Sequence, residues 1–330
     1  MKHLIMSIFF NTRTASVVII GALLFILGCR KDVEEIRPYP VTLDDLAVLL
    51  QQVPSPAASA SFTFHRLSQD TTLTTPSGMR IRLTDVDQLF GRSNGLAPFA
   101  CSTCDNLSIL TTAVATKGDI LSSGLPTYSG DGALLESVGM FQLRVFCGTE
   151  ELQLLPGRSV FVQLPSQSAK SDLMVYAVSG GANEFEGWQD SGQSVDTIQW
   201  SVQGGAVVQN GYEFPIAQLG WTNCAKPLSS AGTTSFSVTM KSGYTGLNTQ
   251  VFLVFDHLLS VVPLVFDDST RSFTFPKVPA GHPVRVVSVA KLDTAYWLGS
   301  TATETGTHTV IPLLPMQQTA YEVLDYLQGL

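Results

Sequence analysis

Cys101-Ser102-Thr103-Cys104 is the spacing in this 330-residue chain that reads most directly as chemistry. Two cysteines three apart can cycle between dithiol and disulfide when a helix N-terminus lowers one thiol pKa. They can also hold zinc when a second pair completes a tetrahedron. Neither condition is met in the sequence. Residues 105–110 do not continue as an amphipathic helix, no strand–helix–strand pattern surrounds the pair, and no second CxxC occurs. Cys147 and Cys224 are the remaining candidates. In an oxidising compartment all four are expected as disulfides or buried thiols, with a cysteine-based metal or redox role as the alternative. Four cysteines allow three pairings, and spacing does not choose among them.

Other reactive side chains are scattered. His65, His257, His282 and His308 lack the HExxH spacing that sets two imidazoles on one helix face. Asp256-His257 with Ser260 groups an acid, an imidazole and a hydroxyl. They follow a strand, however, and no G-x-S-x-G nucleophile elbow accompanies them. Asp267-Asp268 precedes Ser269-Thr270-Arg271 and reads as a turn between strands. Trp188 in an expected exposed loop over 183–196, Tyr128 beside a Gly-rich turn, and Trp297 after Tyr296 are candidates for stacking on a glycan. No catalytic residue and no metal ligand is assigned, and the chain is expected not to be an enzyme.

A fifth cysteine, Cys29, closes the apolar run Val17 to Gly28. At 1.5 Å per residue this run falls short of the ~30 Å hydrocarbon core, so it suits a signal-peptide core rather than a membrane span. Lys2 and Arg13 supply the positive flank, and Gly28 is the small residue before the cleavage point. The arrangement is that of a bacterial lipobox: residues 1–28 are expected to be removed and Cys29 to carry lipid as the covalent membrane anchor. The expected address is the cell envelope, as an outer-membrane lipoprotein facing the periplasm or the cell surface. Arg30-Lys31-Asp32-Val33-Glu34-Glu35 continues as a charged tether.

Loss of Lys2 and Arg13 with the leader takes the 19 basic side chains to 17, against 27 acidic ones. That balance argues against nucleic acid as a partner, since phosphate recognition needs clustered Lys and Arg. The elements that must position the candidates are mainly strands. A tether with a short helix occupies 29–60, with Leu43, Leu46, Ala47, Leu50 and Val53 on one helical face. From residue 61 the period becomes two: Met79, Ile81 and Leu83 alternate with Arg80 and Arg82, and Phe141, Leu143, Val145 and Cys147 share a face. Pro76-Ser77-Gly78, Ser129-Gly130-Asp131-Gly132 and Leu155-Pro156-Gly157 punctuate these runs. The expected fold class is all-β. Two consecutive antiparallel Ig-like sandwiches at 61–228 and 229–330 are read, with a short C-terminal helix over 317–327 packing on the second.

Asp70-Thr71-Thr72-Leu73, Gly78-Met79-Arg80-Ile81-Arg82-Leu83 and Leu134-Leu135-Glu136-Ser137-Val138-Gly139-Met140-Phe141 resemble a group of Bacteroidota-type lipoproteins. Gly220-Trp221-Thr222-Asn223-Cys224 is similar to a further motif of that group. Phe275-Pro276-Lys277-Val278-Pro279-Ala280-Gly281 resembles the late strands of carboxypeptidase-regulatory-like modules. The resemblance implies two β-sandwich domains and a place in the envelope, but no activity. The expected function is therefore that of a lipid-anchored structural or binding module with a protein or glycan partner. An envelope-polymer hydrolase is the other class, which needs paired carboxylates across a cleft.

Overall fold

A computed structural model of the chain describes residues 43–53, 59–92, 97–178, 185–202, 207–228, 232–306 and 309–330. The leader, Cys29, most of the tether and His308 lie outside these residues. Strands hold 56% of the chain and helices 10%, which makes the fold all-β, as the period-two patterning predicts. No described helix is long and apolar enough to cross a membrane.

Three sheets carry the architecture. The first joins nine strands: β1 (Ser59–Phe64), β4 (Phe90–Arg92), β5 (Pro98–Phe99), β6 (Leu107–Val114), β7 (Leu135–Cys147), β8 (Glu150–Leu154), β10 (Met174–Val178), β11 (Trp188–Ser194) and β14 (Gly220–Pro227). The second runs β12 (Asp196–Val202), β13 (Val207–Ile216), β9 (Val160–Pro165), β3 (Arg80–Leu83), β2 (Thr71–Thr74). The third comprises β15 (Thr233–Thr239), β16 (Thr249–Phe255), β17 (Val261–Asp267), β18 (Ser272–Pro279), β19 (Pro283–Leu292), β20 (Ala295–Glu304), β21 (Thr309–Pro312) and β22 (Met316–Gln318). Its order is β21-β15-β18-β17-β16-β19-β20-β22. β20 pairs back on β19 as a hairpin, with Leu292 opposite Ala295, and the short strands β21 and β22 close the two ends of the order.

Register follows the apolar alternation. In the β6–β7 pairing Leu107 faces Cys147, Ile109 faces Val145 and Thr111 faces Leu143. Leu107, Ile109, Leu143 and Val145 are fully buried, whereas Leu110, one residue out of phase, is 37% exposed. A one-residue slip would turn that whole set to solvent, so burial fixes the pairing. Ile81, Leu83, Val162 and Phe214 of the second sheet close the same core from the other side.

Helices α1 (Leu43–Leu50), α2 (Lys117–Ser123) and α3 (Ala320–Gln328) come from distant parts of the chain. Leu46, Leu50 and Val53 are buried as the spacing predicts. α3 begins at Ala320 rather than 317, because Thr319 and Glu322 form a capping box that sets its start. α2 escaped the periodicity reading at only seven residues. Its signals are the Thr116/Asp119 capping box and Gly124, which closes it at φ 66°.

The helices pack into one shared core. Leu46, Leu49, Ile120, Leu121, Val323 and Leu327 join Tyr176, Trp188 and Ala225 of the first sheet with Phe252, Val254, Val287 and Val289 of the third. Burial of each such leucine stabilises the fold by roughly 2 kcal/mol. The core thus bridges the expected boundary at 228/229, and α3 packs on both neighbouring helices as well as on the third sheet. Gly118 allows the closest approach: a Cβ there would lie 2.3 Å from the Leu327 carbonyl oxygen. Hydrogen bonds Thr127 N–H to Val261 O (2.9 Å) and Ser137 N–H to Leu259 O (3.1 Å) stitch the same seam.

Candidate functional site

Between α1, α2 and strands β16 and β17 lies a cavity of about 640 Å³. Ala47 and Leu50 of α1 form one wall, and the C-terminal turn of α2 from Ile120 to Gly124 forms the next. Val251, Phe252, Pro263 and Leu264 make the sheet side. A volume of this size falls within the ~300–1,000 Å³ of small-molecule sites. Phe252 and Val261 face the helix layer and join its core, while Val251 and Leu264 belong to the core on the other face of the sheet, because successive strand residues point to opposite sides. Where the short helix α2 stops at Gly124, the layer stops too, and the sheet face is left open.

The chemistry of the lining is neutral. Among the described residues that line the cleft there is no Asp, Glu, Lys, Arg or His. Its polar groups are the hydroxyls of Ser122, Ser123, Thr249 and Tyr128 and the amides of Gln51 and Gln250. Burial pushes the Tyr128 phenol above its ordinary pKa, so it stays a neutral hydrogen-bond donor. Phe185 sits edge-on to Tyr128 at 5.4 Å and edge-on to Trp188 at 5.7 Å, giving an aromatic rim.

The three aromatics expected to stack on a glycan are therefore in three different settings. Tyr128 is half-buried and lines the cleft. Trp188 is corrected: it opens strand β11 instead of riding an exposed loop, and it is only 1% exposed. Its Nε1–H donates to the Pro126 carbonyl at 2.9 Å, and Phe185 covers it, so no ring face is offered to a sugar. Trp297 stands half-buried on β20, edge-on to Tyr244 at 6.5 Å and away from the cleft lining. They form no common row.

The cysteines divide into a bond and two thiols. Cys104 and Cys147 form a disulfide with Cα atoms 5.9 Å apart, while Cys101 and Cys224 are buried and free. The CxxC pair is thus not bonded to itself. Cys101 opens a single 3-10 turn, Cys101–Thr103, which Asp87 holds by accepting from Ser102 N–H and Ser102 Oγ–H, both at 2.8 Å. Burial and then the Asp87 charge push the Cys101 thiol up to about 12, and burial alone raises Cys224. Both are poor thiolates, which is the opposite of what thiol exchange requires. Among the described residues no three His, Cys, Asp or Glu side chains converge as a metal site.

Ser260 is fully buried and its hydroxyl meets that of Thr127 at 2.9 Å, so it is a seam residue rather than a nucleophile beside Asp256 and His257. Asp267 accepts from Ser269 and Thr270 in the β17–β18 turn, which holds its carboxyl below the usual range. The cleft itself was hidden in the sequence, because its walls are strand and helix residues with ordinary core patterning. The Thr116-x-x-Asp119 box followed by Ile120-Leu121 and Gly124 was the local signal that could have located one wall.

Comparison of the chain with protein-family models, curated proteins and solved structures returned no match.

Proposed function

We propose that this chain is a lipid-anchored binding module of the cell envelope whose cleft takes a neutral, mainly apolar small molecule. The observation that carries this reading is the uncharged lining of the cleft between α1, α2 and the β16–β17 face. Apolar area removed from water supplies the affinity, roughly 25 cal/mol per Å², and the Tyr128 phenol with the nearby hydroxyls orients the ligand. Hydrolysis of an envelope polymer needs an acid and a base facing each other, and the described lining of this cleft holds neither. The anchor at Cys29 follows from the lipobox and from the resemblance to Bacteroidota-type lipoproteins. Cys29→Ala should release the protein from membranes and abolish palmitate labelling; unchanged fractionation defeats the anchor.

The cleft is tested with the neutral fluorophore N-phenyl-1-naphthylamine. Val265 lines the rim and is 67% exposed, so Val265→Asp puts a charge at the mouth without disturbing the core. Saturable, blue-shifted fluorescence with the wild type and about tenfold weaker binding with Val265→Asp supports the reading. No saturable signal, or equal affinity in the variant, overturns it.

A further inference from the structure

Of the four hydroxyls that line the apolar cleft, three have already committed their hydrogens. Ser122 Oγ–H donates to the Asp119 carbonyl at 2.9 Å and Ser123 Oγ–H to the Ile120 carbonyl at 3.0 Å, both inside α2. Thr249 Oγ1–H donates to Asn248 Oδ1 at 2.8 Å. The fourth, the Tyr128 phenol, has no hydrogen-bond partner among the described residues. We infer that the cleft takes an apolar molecule whose polar group is an uncharged carbonyl, as in an ester or a ketone, accepting from Tyr128. The inference rests on the reading of the cleft as a small-molecule site and specifies the chemistry of its occupant.

The ring that carries this hydroxyl is already held. Tyr128 packs edge-on to Phe185 at 5.4 Å and tilted to Phe275 at 6.3 Å. Its main chain is fixed as well, because Trp188 N–H donates to the Tyr128 carbonyl at 3.0 Å. A donor set in place before the ligand arrives loses little freedom on binding. The half-buried phenol is partly stripped of water without a protein acceptor in exchange, and an acceptor brought by a ligand makes good that loss. Gln51 and Gln250 also have uncommitted amides, but on long side chains that lose more rotamer freedom, and Gln51 is exposed to water.

The rest of the lining selects among polar groups. A carboxylate or phosphate brought into an apolar cleft needs a cation beside it, and the described lining contains no Lys, Arg or His. An ammonium needs a carboxylate, and the same lining contains no Asp or Glu. An ester or ketone oxygen is neutral and accepts from a phenol. It also brings no hydrogen of its own to be left unpaired against Leu121, Phe252 and Pro263.

The test is displacement of bound N-phenyl-1-naphthylamine from the full chain at neutral pH, by 2-decanone and by sodium decanoate below its micelle-forming concentration. The two competitors match in chain length and differ in the charge of the polar end. The ketone should bind about tenfold more tightly than the anion. Tyr128→Phe should weaken the ketone about fivefold and leave affinity for the naphthylamine, which has no carbonyl, within about twofold. The carbonyl stretching band of the bound ketone should also lie at lower wavenumber in the wild type than in Tyr128→Phe, a readout that altered shape alone does not give. The wild-type comparison of ketone and anion needs no variant, and the thermal midpoint of Tyr128→Phe checks its fold. Equal binding of ketone and decanoate overturns the inference while the cleft reading stands. So does a ketone affinity that Tyr128→Phe leaves unchanged, or lowers no more than that for the naphthylamine. A wild type that fails to bind the naphthylamine overturns both.

Discussion

Thr127 and Ser260, 133 residues apart in the chain, meet hydroxyl to hydroxyl at 2.9 Å with neither side chain reaching solvent. Thr127 Oγ1 also accepts from Val261 N–H at 2.9 Å, while the Thr127 carbonyl accepts from Leu135 N–H of β7 at 2.9 Å, so one threonine serves both sides of the seam between the first and third sheets. A buried hydroxyl left without a partner costs about 1–3 kcal/mol. Thr127→Val should therefore lower stability by about that amount in urea unfolding. The double variant Thr127→Val, Ser260→Ala should lose less than the sum of the two single changes, since each single one strands the other's partner. Additive losses would show that the two hydroxyls are not coupled.

The Cys104–Cys147 bond closes a loop of 43 residues. By loop-closure entropy such a link stabilises by about 4 kcal/mol. Cys104→Ala with Cys147→Ala should lower the urea midpoint accordingly, and reductant should lower the wild type to the same value. A midpoint indifferent to reductant is the contrary result.

Free thiols make a pH prediction. Cys101 is raised from 9.0 to about 12 in the folded chain, and Cys224 is raised as well. The folded state holds these protons more tightly than the unfolded one, so their contribution is complete below pH 9 and is lost as pH climbs from 9 towards 12. Stability should fall more steeply over that window in the wild type than in Cys101→Ala, Cys224→Ala, by up to ~1.4 kcal/mol per unit for each thiol. Equal slopes in equilibrium unfolding from pH 8 to 10.5 would refute it. At pH 8 neither thiol should react with a disulfide reagent until the chain is unfolded.

Gly118→Ala places a methyl 2.3 Å from the Leu327 carbonyl oxygen, which is backbone and cannot swing aside. The helices must separate, at a cost of about 1–3 kcal/mol. Thermal melting should show that loss, and hydrogen exchange should quicken in α3. Replacement of Gly124, which has open space around it, should cost less than Gly118→Ala despite the strained φ of 66°.

Legibility in the sequence tracked how local each feature is. Strands such as β3, β7 and β9 were visible because one alternating face is buried, and burial writes a period of two into adjacent residues. The partner of Cys104 was not, because it depends on the β6–β7 register that sets Leu107 opposite Cys147. Trp188 misled for a similar reason. Its neighbours Gln189, Asp190 and Ser191 are polar, and what buries it is Phe185 and a carbonyl 62 residues away. Of the cleft, only the α2 wall left a local signal. Ala47, Ile120, Tyr128 and Val251 come together only through the tertiary packing of α1, α2 and β16.

The order in which those pieces arrive has a consequence for synthesis. Leu46 leaves the ribosome well before Leu121, and Val323 and Leu327, which complete their shared core, follow only much later. During translation the greasy face of α1 therefore waits, uncovered, until the segment that carries them has been made. A holding chaperone, or transport in an unfolded state, is what such a delay calls for.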